Sequence, residues 1–139
     1  MTPILHVVWV WGGLAAAIVT GLAAFLRGGT PEKWGAAVFL TSWFVSPLID
    51  TSHGFRYGLF ASDVLTMIGY LVVAMRWRRV WAFGATVSQL LAVVTHLIVW
   101  YVAGVRSYAY ITLADIFGAD LPMVFLIFGV LTAKHPPRS

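Results

Sequence analysis

Long apolar runs separated by short polar clusters set the pattern of this chain. From Ile4 to Leu26 no charged side chain occurs, and the run stops at Arg27-Gly28-Gly29-Thr30-Pro31, where glycine and proline end a helix. A second run from about Trp34 to Ile49 enters through Thr30-Pro31-Glu32-Lys33, with Thr30 read as the cap and Pro31 as the first helical residue. After the polar stretch Asp50 to Gly58, Ser62 and Asp63 open a third run that reaches Met75 and closes at Arg76-Trp77-Arg78-Arg79. The fourth, about Val80 to Val105, has no charge in its length. A hydrocarbon core about 30 Å thick needs about 20 residues at about 1.5 Å of rise each. The pattern therefore predicts an all-α, polytopic membrane helix bundle of about five transmembrane helices in one integral domain.

The fifth crossing is the least regular. One continuous helix from Ser107 to Ala133 would hold both Asp115 and Asp120, and each carboxylate in hydrocarbon costs about 2.5–3.5 kcal/mol on insertion scales. A broken form avoids this: a short interfacial helix over Tyr108 to Phe117, a stop at Gly118, then Asp120 capping a new helix with Pro122 in its first turn. The expected spans are thus about 4–26, 34–49, 61–75, 80–105 and 120–134.

Composition agrees with lipid as the solvent. Of the 139 residues 60% are hydrophobic and 10% charged, against roughly 25% charged in soluble domains. With no cysteine, disulfides, thiolate metal sites and iron–sulfur clusters are excluded. The first run has no basic leader, so it reads as a retained span rather than a cleaved export signal.

The basic residues give an orientation. Five crossings put Arg27, Lys33, Arg76, Arg78, Arg79, Lys134 and Arg138 on one side, and only Arg56 and Arg106 on the other. The positive-inside rule then places the amino terminus outside and the carboxyl terminus in the cytoplasm. Asp50, Asp63, Asp115 and Asp120 fall on the outer side, with Glu32 alone inside. The high isoelectric point, about 9.9, follows from this topology and gives no support to nucleic-acid binding.

Polar residues at helical spacing mark protein-facing surfaces. Gly13, Ala17 and Gly21 form a packing seam on the first span. On the fourth, Ser88, Gln89, Ala92, Thr95 and His96 share one face. His96 lies deep enough to be intramembrane, and three uses for it stay open: a neutral imidazole bonded to a neighbouring Ser, Thr or Asp; a haem ligand, with His6 on the first span as the second; or a proton relay or quinone contact together with Gln89. The outer rim gathers Asp50, His53, Arg56, Asp63, Arg106, Asp115 and Asp120. Helix capping by Asp63 and Asp120 and pairing of the others with Arg56 and Arg106 account for that cluster, whose spacing is not that of a calcium loop. No nucleophile-elbow, zinc-protease or phosphate-loop motif occurs, so no catalytic residue is assigned.

Thr30-Pro31-Glu32-Lys33, Phe60-Ala61-Ser62-Asp63, Arg76 to Arg79, the run Gln89 to His96, and Tyr108-Ala109-Tyr110 together resemble a set of small polytopic bacterial inner-membrane proteins. The resemblance implies a bacterial inner-membrane location and carries over no catalytic role. The expected function is that of an accessory or structural subunit of a larger membrane complex, in contact with lipid and with other integral subunits or copies of itself. The alternatives are a haem- or quinone-binding redox subunit, or a small proton-coupled transporter, both centred on His96.

Overall fold

The computed structural model describes residues 3–49, 57–102 and 107–133. Among them every regular element is helical: α1 (Pro3–Arg27), α2 (Thr30–Ile49), α3 (Tyr57–Trp77), α4 (Val80–Tyr101), α5 (Ser107–Asp115) and α6 (Leu121–Thr132), with a π-helical turn over Ile116–Asp120 between the last two. Val7–Arg27, Tyr57–Trp77, Val80–Tyr101 and Ala109–Thr132 are each long and apolar enough to cross a membrane. This is a multi-pass helical membrane bundle. Helix α2 has the length, with 20 residues, but carries Glu32, Lys33, Thr41, Ser42 and Ser46 and is correspondingly less apolar.

The segment expected to be the fifth crossing is one continuous helical run. Gly118 does not stop the helix and Asp120 does not cap a new one: Asp120 has helical backbone angles (φ −67°, ψ −49°) and no capping bond. The chain absorbs the irregularity by widening one turn into a π-helix. Pro122, five residues after Phe117, has no N–H to offer the π-helical turn, so the Phe117 carbonyl needs another donor. Ser88 on α4 supplies one, donating to the Phe117 carbonyl at 2.6 Å.

Successive helices pack side by side, and α6 closes the ring against α1 and α2. Close approach comes from small residues. A Cβ on Gly21 would come 2.6 Å from a Leu40 methyl, and one on Gly13 would come 3.1 Å from the Trp43 ring, while Ala17 between them is buried. Where α2, α4 and α6 meet, the Trp81 ring lies between Gly35 and Gly129, at 2.3 Å and 2.6 Å from the Cβ positions those residues lack.

The end with the α1–α2 and α3–α4 turns is locked by a buried acid. Glu32 accepts from the Gly29 N–H (2.9 Å) and from the Trp81 indole N–H (3.0 Å), and the Arg79 guanidinium approaches to 3.6 Å. Gly29 therefore occupies the N-cap position with Glu32 reaching back as in a capping box, so Thr30 is already the first helical residue and not the cap. Between α3 and α4 the chain turns through Arg78, whose φ of 50° lies in the left-handed region. Ala24, Ala36, Phe39, Val73, Ala74, Ala82, Ala85, Leu126 and Val130 fill the half of the bundle next to this lock.

Candidate functional site

The other half is polar inside. Asp63 belongs to the second turn of α3, because that helix begins at Tyr57 rather than at Ser62; it is not a cap, and its side chain turns into the bundle, 14% exposed. Helix α4 faces it with the stripe Ser88, Gln89, Ala92, Thr95 and His96, all buried. The Gln89 amide donates from Nε2 to Asp63 Oδ1 at 2.8 Å, and His96 Nε2 lies 2.8 Å from Asp63 Oδ2. The other imidazole nitrogen, Nδ1, meets the Tyr110 hydroxyl from α5. Three helices thus place a carboxylate, an imidazole and a phenol in one hydrogen-bonded line.

The chemistry fixes the direction of that line. An ionised carboxylate only accepts, so with a neutral imidazole the proton sits on Nε2, and Nδ1 accepts from the phenol O–H. Shifting each proton one step toward Asp63 would leave a neutral carboxylic acid, an unchanged imidazole with the opposite tautomer, and a phenolate. A hydrogen-bonded row of this kind can relay a proton without moving a heavy atom far. His96 is 1% exposed and Gln89 0%, and the Phe60 ring stands edge-on to the imidazole at 6.0 Å between centroids. The surroundings are of low dielectric, in which such bonds strengthen and unpaired groups become expensive.

The π-helical turn shapes the floor of the site. Gly118 lies over Asp63, with its missing Cβ 3.4 Å from Oδ1 and 3.5 Å from the Ala92 methyl. The irregular turn therefore sits directly against the carboxylate, and π-turns recur at functional sites.

Of the residues singled out in the sequence, His96 and Gln89 are brought together, joined through Asp63. His6 lies in α1, but its side chain falls outside the described set, as do Asp50, His53, Arg56 and Arg106. Asp115 is exposed and Asp120 half-buried. The sequence pattern places Asp63 on the outer rim as a helix cap and Tyr110 within a short interfacial helix, whereas the structure brings both to His96. The signal for Asp63 was present: Ser62, Asp63, Thr66 and Tyr70 recur at helical spacing once the helix is begun at Tyr57.

Haem ligation through His96 would require one imidazole nitrogen to leave Asp63 or Tyr110, since both are engaged. Among the described residues no three histidine or acidic side chains converge as metal ligands do. A second polar patch joins α2 to α3, where the Ser62 hydroxyl meets those of Ser46 (3.0 Å) and Ser42 (3.4 Å). It borders an open groove of about 370 Å³ lined by Trp34, Val38, Thr41, Val45, Leu65 and Thr66 among others. Compared with protein-family models, with curated proteins and with solved structures, the chain matches none.

Proposed function

We propose that this multi-pass protein carries a proton within the membrane on Asp63, His96 and Tyr110, and that it works as a small proton-coupled transporter. The observation behind this is the unbroken row from the Tyr110 hydroxyl through both nitrogens of His96 to the Asp63 carboxylate, buried among apolar helices. Ionisable groups at such depth are expensive to keep and mark ion and proton pathways in membrane proteins. The positive-inside distribution of lysine and arginine supports a bacterial inner membrane, with the site in the half nearer the outer face.

Reconstituted vesicles test the proposal. With an imposed pH difference, vesicles holding the wild-type protein lose the gradient faster than empty ones, and Asp63→Asn removes the excess. Equal rates for wild type and Asp63→Asn would overturn it.

A role as an accessory subunit of a larger complex is favoured by a separate feature, the α2–α3 groove. Thr41 is exposed there beside the half-buried Ser42, on the least apolar of the long helices, and a neighbouring subunit's helix would cover those hydroxyls better than acyl chains. Native electrophoresis of gently solubilised membranes would then show the protein migrating with a much larger assembly; a lone monomer would count against it.

A further inference from the structure

Two polar atoms in the bundle interior have no hydrogen-bond partner among the described residues and lie near the proton row. Gln89 uses its Nε2 on Asp63, while its Oε1 is buried and unpartnered; the Tyr70 hydroxyl, on a side chain with no exposure, is in the same position. A buried acceptor or hydroxyl left unpaired is costly, so these atoms point to a small hydrogen-bonding occupant.

Their placement follows from helix register. Asp63 and Ala92 stand at the same level, since both border Gly118. Helices α3 and α4 run antiparallel, so Thr66 is level with Gln89, and Tyr70 with Ala85, one turn toward the basic end. Long helical side chains lean toward their own amino terminus, which carries the Tyr70 hydroxyl back toward the level of Gln89. Ala85, level with Tyr70, and Ala92, beside Gln89 on α4, are small and fully buried. Water is the occupant that suits two buried polar atoms flanked by methyl groups.

We propose that Gln89 Oε1 and the Tyr70 hydroxyl hold internal water, and that this water gives the Asp63 carboxylate a second proton route on its Oδ1 side, separate from the His96–Tyr110 route on Oδ2. The proposal rests on Asp63 being the proton carrier. A proton arriving as hydronium along this water protonates the carboxylate and leaves a neutral water behind. For it to leave on the other side, Tyr110 releases its own proton outward and the imidazole turns over to carry its proton on Nδ1; the Asp63 proton then passes to Nε2 and the Nδ1 proton to the phenolate, which restores the starting state. Asp63 then stands between two half-paths, one on each oxygen, and Tyr70 is a positioning residue for the inner one.

The test uses Tyr70→Phe, which removes one oxygen and no hydrogen bond among the described residues. Infrared difference spectra of the reconstituted full chain, taken on a pH switch in ordinary and heavy-oxygen water, should show O–H stretching bands that shift with the heavy isotope. Those bands should vanish in Tyr70→Phe while the Asp63 carboxyl band persists, and gradient decay in vesicles should slow several-fold. Isotope-sensitive bands that are absent from wild type, or unchanged in Tyr70→Phe, overturn the proposal, as does gradient decay at the wild-type rate in that variant. If Asp63→Asn conducts like wild type while the water bands still depend on Tyr70, the water site stands, and both the carrier role of Asp63 and the second route to it fall.

Discussion

The Ser88 hydroxyl lies 2.6 Å from the main-chain oxygen of Phe117, so a side chain on α4 satisfies a carbonyl that Pro122, lacking an N–H, leaves without a donor in its own helix. The pairing also fixes Gly118 against Asp63, since Phe117 and Gly118 are consecutive on that turn. Replacing Ser88 with Ala leaves the carbonyl unpaired in a dry interior and should lower stability by about 1–3 kcal/mol. Unfolding in mixed micelles of a mild detergent and dodecyl sulfate measures this, and Ser88→Thr should retain most of the bond.

Trp81 joins α2, α4 and α6 through contact with two glycines. Alanine at Gly35 or Gly129 would place a methyl carbon 2.3 Å or 2.6 Å from the indole and force the ring to move. Overpacking of this kind destabilises by about 1–3 kcal/mol, and each single variant should fall in that range in the same unfolding assay. Because both act on one ring, the double variant should depart from the sum of the two.

Glu32 is wholly buried and accepts from two N–H groups, with Arg79 beside it. Glu32→Gln keeps the shape but turns an NH2 group toward one of those donors and removes the charge facing Arg79. A loss of about 1–3 kcal/mol is expected. Trp81→Phe should lose less than Trp81→Ala, since it keeps most of the ring and gives up only the indole N–H.

Orientation is open to direct measurement. A reporter fused after Ser139 should read as cytoplasmic, and one inserted between residues 50 and 56 should read as periplasmic. The reverse pattern would place the Asp63 site in the inner half of the membrane and would contradict the charge rule applied to Arg76, Arg78 and Arg79.

The helical class and the main polar stripe were legible because each depends on local periodicity. A run such as Val80 to Tyr101 has one solution in lipid, and the spacing of Ser88, Gln89 and His96 fixes their common face whatever the partner. Asp63 was misplaced because a carboxylate near the start of an apolar run is ordinarily a cap; its burial depends on six further helical residues before it and on donors from α4. The continuity of the fifth crossing was hidden for a related reason. Gly118 and Asp120 carry local stop and cap signals, and the Phe117 carbonyl beside them is satisfied by Ser88, 29 residues earlier in the chain. Tyr110 joins the row only through tertiary packing of α5 on α4.

The most direct measurement is the carboxyl C=O stretch of the reconstituted protein, followed by infrared spectroscopy across a pH titration. A band of a buried carboxylic acid should grow as the pH falls, vanish in Asp63→Asn and shift when His96 is replaced by Gln. A wild-type spectrum without that band, or one retained unchanged in Asp63→Asn, would contradict a proton held on Asp63.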